Sequence, residues 1–134
     1  MKLKKISALA LSASLLLTAC GESAAEKAQR EQIKKEATQL AAMPPTCDSE
    51  KTMNVVKKLI RKYVDPFNIG KNKQYSGIAE VERKLDILEY RCRARLTYNY
   101  VGTQKSHYLE YSIYWANDNH NQFQVEMTTI TNND

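Results

Sequence analysis

Two spacings organise the hydrophobic positions of this chain. Between residues 50 and 65, Met53, Val56, Ile60, Tyr63 and Val64 fall at i, i+3, i+7, i+10 and i+11, with Lys57, Lys58, Arg61 and Lys62 mostly off that line. This is the stripe of an amphipathic helix with one face for a core. Asp48 or Ser49 can cap its start, Glu50 suits the positive end of the helix dipole, and Asp65-Pro66 stops it. Residues 66 to 77 hold Pro, Asn and two Gly without an apolar period, and read as a loop. From about Ile78 the period becomes two. Tyr90, Cys92, Ala94, Leu96, Tyr98 and Tyr100 alternate with Arg91, Arg93, Arg95, Thr97 and Asn99, giving a strand with one dry and one wet face.

Residues 101 to 106 read as a hairpin loop. On the returning strand Leu109, Tyr111, Ile113 and Trp115 alternate with Tyr108, Glu110, Ser112 and Tyr114. Residues 117 to 121 form a second turn of Asn, Asp and His. A last strand follows, with Phe123, Val125 and Met127 on one face. Between Ile78 and Leu88, Val81, Leu85 and Ile87 can supply a first strand. The fold class expected is α+β, one amphipathic helix packed on a three- to four-stranded antiparallel sheet. The order of elements resembles cystatin-like domains, and likeness at that level carries no function.

The first twenty residues follow another pattern. Lys2, Lys4 and Lys5 precede residues 6 to 17, an uncharged run of twelve rich in Leu and Ala. Twelve residues are too few to span a hydrocarbon core of roughly 30 Å as a helix, but they suit a secretory signal. The run closes on Leu17-Thr18-Ala19-Cys20, an aliphatic residue, two small ones and a Cys. This resembles the lipobox of bacterial lipoproteins. The resemblance implies a signal peptide over residues 1–19, cleavage before Cys20, a diacylglyceryl thioether on its sulfur and acylation of its amine. Several acyl chains on one residue give stable attachment to a membrane. Gly21 follows Cys20, where an Asp would resemble the inner-membrane retention signal of enterobacterial lipoproteins. In a Gram-negative host this favours the outer membrane, facing the periplasm.

Residues 20–45 read as the lipidated Cys and a charged, helix-prone tether, and residues 46–134 as the folded domain. Glu, Lys, Ala and Gln dominate the tether, and Ile33, Ala37, Leu40 and Ala41 recur at helical spacing until Pro44-Pro45. That stripe is narrow and rich in Ala, which favours a solvated spacer over a partner-binding helix. With Cys20 carrying lipid, Cys47 and Cys92 remain as a pair in an exported, oxidising compartment, and a bridge between them would staple helix to sheet. A Cys before a charged amphipathic helix, followed by Tyr90-Arg91-Cys92-Arg93-Ala94 on a strand, is also similar to small exported proteins of Gram-negative bacteria. That likeness implies no activity.

Charge narrows the partners. The formal +5 includes the three signal lysines. The mature chain keeps 17 basic residues against 15 acidic ones, which lacks the strongly basic balance of nucleic-acid-binding domains. No Gly-x-Ser-x-Gly elbow occurs. His107 and His120 fall in the expected turns, where a hydrolase could use one of them with Asp118. Thirteen residues apart and without clustered ligands, they make poor metal spacing. Glu80, Glu82, Asp86 and Glu89 read as surface charge. Arg91, Arg93 and Arg95 should stand about 7 Å apart on the wet face, with Tyr108 and Tyr114 near them if the register allows. Arg and Tyr are the residues of binding hot spots. The same row also suits a solvated face that keeps the sheet from stacking.

The expectation is thus a non-catalytic, lipid-anchored envelope protein that binds another envelope protein, in an assembly, inhibitor, immunity or exclusion role. It should need no cofactor, metal or nucleic acid. The alternative is a small envelope hydrolase or metal-dependent enzyme using His107 or His120. The anchor is tested by metabolic labelling with a fatty-acid probe. Wild type should label and start at Cys20, while Cys20→Ser should lose the label or persist as precursor; normal labelling of that variant would contradict the lipobox.

Overall fold

Helix propensity alone carries the first element, α1 (Ala24–Ala41), none of whose residues is buried. Ser23 caps it, its Oγ accepting from the Glu26 amide at 3.2 Å. At 1.5 Å per residue its 18 residues extend about 27 Å. The structure, a computed structural model, describes residues 23–132, so the signal segment and Cys20 lie outside the described residues. Among the described residues no helix is long and apolar enough to cross a membrane. The chain divides into two units, Met1–Thr38 and Gln39–Asp134.

The second unit is an α+β layer. Ser49 caps α2 (Glu50–Tyr63), with its Oγ accepting from the Thr52 amide at 3.1 Å and donating to Thr52 Oγ1 at 2.8 Å. The second bond gives the hydroxyl of Thr52, which is fully buried, a partner. Met53, Val56 and Ile60 enter the core as their spacing requires. Tyr63 does not: it remains 59% exposed, although it lies on the same stripe. Four strands follow in one antiparallel sheet of order β1-β2-β3-β4: β1 (Lys71–Lys84), β2 (Glu89–Tyr100), β3 (Thr103–Trp115) and β4 (Phe123–Asn132). Tyr90, Cys92, Ala94, Leu96, Tyr98, Leu109, Tyr111, Ile113 and Val125 are buried with the helix stripe in one core.

The first strand departs from the sequence reading. It begins at Lys71, inside the expected loop, and its core contacts are Tyr75 and Ile78. Of the residues expected to supply it, Val81 is 48% exposed, and Leu85 and Ile87 fall in the turn after Lys84, where Ile87 is 56% exposed. The cause is an edge strand whose register with β2 slips between Lys71 and Gln74, Ser76 and Ala79, and Glu80 and Glu82. Each slip resets which residues face inwards and erases the period of two. The β2–β3 connection is also shorter than expected. Tyr100 pairs with Thr103, leaving a two-residue turn in which Val101 and Gly102 have φ of +48° and +77°. That is the sign pattern of a type I′ hairpin, with a β-branched residue where Asn is usual.

Both ends of the helix layer are tied down. Cys47 and Cys92 form a disulfide with Cα atoms 5.7 Å apart. Beside it the buried Tyr111 O–H donates to the Cys47 carbonyl at 2.9 Å. Burial, with Asp48 nearby, pushes that phenol up to about 12, so it remains a donor at neutral pH. Trp115 Nε1 donates to the Ala42 carbonyl at 2.7 Å. At the other end, buried Asp65 accepts from the amides of Ile69 and Gly70 at 2.9 Å each and pairs with Lys73 Nζ at 2.8 Å. This carboxylate shapes the turn from α2 into β1. Gly70 is required there, since a Cβ would lie 2.7 Å from Tyr98 Cδ2 and 3.0 Å from Asp65 Oδ2.

Two predictions follow from these ties. The disulfide closes a separation of 45 residues, worth about 4 kcal/mol in the chain-entropy model. Cys47→Ser, Cys92→Ser and the double variant should therefore show similar, large losses in melting temperature, and additive losses would contradict a shared bond. For Asp65, burial by itself would raise the carboxyl, but the Lys73 hydrogen bond, the two amides and the Lys73 charge outweigh it and hold it below its ordinary value. The stability it contributes is thus complete above the ordinary carboxylate range of about 4 and is lost as pH falls through the lowered value. Asp65→Asn should cost about 1–3 kcal/mol at neutral pH and flatten the acid limb of stability against pH. An unchanged acid limb would assign it to other carboxylates.

Candidate interaction face

The period of two sends Arg91, Arg93 and Arg95 to the sheet face opposite α2. Pairing then sets their neighbours. On β3, Ser112, Glu110 and Tyr108 stand opposite them in that order, and on β1 stand Glu82, Ala79 and Ser76. The three arginines are thereby made unequal. Arg91 meets Glu82 at 2.9 Å and Glu110 at 3.9 Å. Arg93 and Arg95 are exposed and form no ion pair among the described residues.

Arg93, Arg95 and Tyr108 line one shallow depression of about 200 Å³, together with Gly77 and Ala94. Gly77 sits where the β1 register slips, with φ +59° and nothing within 4 Å of the position a Cβ would take. The slip and the missing side chain open the notch beside the two guanidinium groups. Tyr108 O–H donates to Glu110 at 2.8 Å. That carboxylate pushes the phenol above its ordinary value, partial burial adds to the shift, and Arg93 and Arg91 oppose it. The hydroxyl is thus occupied as a donor, while its ring borders the notch. Tyr114 stands further along β3, its O–H donating to Glu126 of β4 at 3.4 Å. Burial and then Glu126 push that phenol up. Of the five residues read from sequence as a binding surface, three converge on one notch, Arg91 is matched by acids, and Tyr114 belongs to the β4 side.

The histidines lie elsewhere. His107 is in β3 rather than a turn, 9% exposed, stacked on Tyr98 with centroids 5.5 Å apart and Nε2 2.9 Å from the Tyr98 hydroxyl. Its Nδ1 is buried and has no hydrogen-bond partner among the described residues. The polar run Thr103-Gln104-Lys105-Ser106 hides the strand in which it sits. His120 follows β3 in a turn and stacks on Trp115 at 5.2 Å. From His107 to the end of β3 at Trp115 the strand rises about 26 Å, so the two imidazoles belong to opposite ends of it. Glu80, Glu82 and Glu89 pair with Arg83, Arg91 and Lys84. Among the described residues no three His, Cys, Asp or Glu side chains cluster to hold a metal ion.

Sequence reasoning missed Glu82 and Gly77, because both reach this face only through the slipped register of β1. Chemically, the notch presents two fixed positive charges and an aromatic edge, which suits a carboxylate or phosphate. No protein-family model matches the chain, and neither a curated protein nor a solved structure matches it.

Proposed function

We propose that this chain is a non-catalytic envelope lipoprotein, held to the membrane by lipid on Cys20, that binds an acidic site on another envelope protein. The observation that carries the reading is the contrast along one strand. Arg91 is matched by Glu82 and Glu110, whereas Arg93 and Arg95 border an open notch with Tyr108 and form no ion pair among the described residues. The backbone beneath the two arginines is fixed on a central strand, so only side-chain freedom is lost when a carboxylate arrives. Binding is preferred to hydrolysis because the two imidazoles lie at opposite ends of β3, and Nε2 of the buried one is taken by Tyr98. The lipobox supports attachment through acyl chains on Cys20, and Gly21 after it favours the outer membrane in a Gram-negative host. Roles within an assembly, or as an inhibitor, immunity or exclusion factor, all fit such a binder.

The test is crosslinking capture of the natural partner by the lipidated protein in its own membranes. Arg93→Ser with Arg95→Ser should leave folding nearly intact, since exposed substitutions usually change stability by about 0.5 kcal/mol or less. The pair should abolish capture, and wild-type capture should weaken as salt is raised. Arg91→Ser should retain most capture. Full capture by the Arg93/Arg95 variant would remove this face from the interaction. Loss of biological activity in His120→Ala with capture intact would favour the hydrolase.

A further inference from the structure

A groove on the second unit runs along the free edge of β4. It has a volume of about 530 Å³ and is lined by seven consecutive strand residues, 124–130, with Leu59 and Tyr63 of α2 on one side and Tyr114 on the other. Consecutive residues of a strand point alternately to both faces. A groove that follows all seven therefore traces the strand's edge, where every second N–H and C=O lacks a neighbouring strand.

The two edges of the sheet are treated differently. β1 is blunted by three register slips and carries Lys71, Lys73, Glu80, Glu82, Arg83 and Lys84. These are the devices that keep a strand edge from pairing. β4 has Glu126 as its single charge and no Pro or Gly; its register with β3 is unbroken over residues 123–127 and slips once, between Met127 and Thr129. Its composition of Phe, Val, Ile and Thr favours strand pairing.

The helix above this edge is also incompletely covered. Tyr63 follows Val56 by seven residues, so the two lie within about 20° on the helix surface. Val56 is fully buried and Tyr63 is 59% exposed. The stripe of α2 thus ends on an uncovered apolar residue at this groove. Lys51, Lys58 and Lys62 lie about 60–100° round the helix from Leu59, on the side away from Met53 and Ile60. All three are exposed and form no ion pair among the described residues; Lys62 Nζ sits 5.1 Å from the Tyr63 ring centroid.

We infer that the β4 edge receives an extended acidic segment of a partner protein as a fifth strand. Main-chain hydrogen bonds to β4 hold it, its inward apolar side chains cover Leu59 and Tyr63, and its carboxylates meet Lys51, Lys58 and Lys62. Charge selects this occupant over a second copy of the chain. A two-fold pairing of β4 with β4 would set two such lysine flanks beside each other on one face of the joined sheet, where like charges repel. The inference is independent of the Arg93–Arg95 notch, which lies on the opposite face.

The test uses the full mature protein and a displayed library of random linear twelve-residue peptides. Selection should enrich peptides that alternate apolar residues with Asp or Glu. A synthetic consensus peptide should slow amide exchange of alternate β4 residues within 123–127 by tenfold or more. N-methylation of that peptide's backbone should abolish binding at every second position and spare the positions between, a pattern that side-chain contact alone does not produce. Tyr63→Ala, and Lys58→Glu with Lys62→Glu, should each weaken binding at least tenfold while the melting temperature stays near wild type. Arg93→Ser with Arg95→Ser should leave it unchanged. Failure to enrich any peptide over a surface coated with the Lys58/Lys62 variant would overturn the inference. So would protection outside β4, binding indifferent to N-methylation, or self-association through β4 in sedimentation.

Discussion

The Cys47–Cys92 bond joins the segment leading into α2 to the first half of the second strand, and the arrangement of the layer depends on that link. Cys92 is 1% exposed and pairs with Tyr111 across the β2–β3 ladder. Tyr111 in turn donates to the Cys47 carbonyl, so a covalent bond and a hydrogen bond fix the same short stretch against two adjacent strands. Trp115 holds the Ala42 carbonyl a few residues upstream. With its entry fixed there and its exit shaped by Asp65, the helix can lie over the sheet in one way only. A domain of this size buries a modest core, and one helix covers one face. The other face must stay wet, and the arginine row meets that demand while supplying charge.

What was legible in the sequence follows from how each residue's environment is determined. Strands β2 and β3 are central and covered by the helix on one side only, so the period of two survives from Tyr90 to Tyr98 and from His107 to Tyr111, with Ser112 on the outer face buried as well. β1 has a single neighbour and three slips of register. Its inward residues, Tyr75 and Ile78, are an odd number of positions apart, and no fixed period finds both. His107 was concealed for a different reason. A type I′ turn built on Val101-Gly102 lacks the usual Asn-Gly signal, so the polar residues after it read as a long loop although they already belong to β3. The arginine row was visible because it lies on β2. Its division into one neutralised and two unmatched side chains was not, because Glu82 arrives from β1.

Exposure on this domain also separates into kinds. Val81 and Ile87 are exposed near one end of the β1 edge, where slips and charges already discourage pairing. Tyr63 is exposed on a helix stripe beside a strand edge that carries one charge. Both edges leave backbone groups unpaired beside apolar surface, but the second lacks the run of charges that discourages pairing along β1, so an added strand is better received there.

The two positive surfaces differ in what an acidic partner gains from them. At the Arg93–Arg95 notch the domain offers side chains alone, so affinity rests on charge-assisted hydrogen bonds. Such bonds are directional, but much of their gain is offset by stripping water from both ions. Along β4 the domain offers main-chain groups that any extended segment can meet, with selectivity coming from Leu59, Tyr63 and the lysines of α2. Salt therefore weakens the first site more than the second, where part of the affinity is hydrogen bonding and apolar cover that ions do not screen. Steering is common to both. The mature chain's slight basic excess leaves little long-range field, so attraction is local, set by three lysines above one edge and two arginines on the opposite face. A partner presenting a folded acidic patch fits the notch; one presenting a loose acidic strand fits the edge.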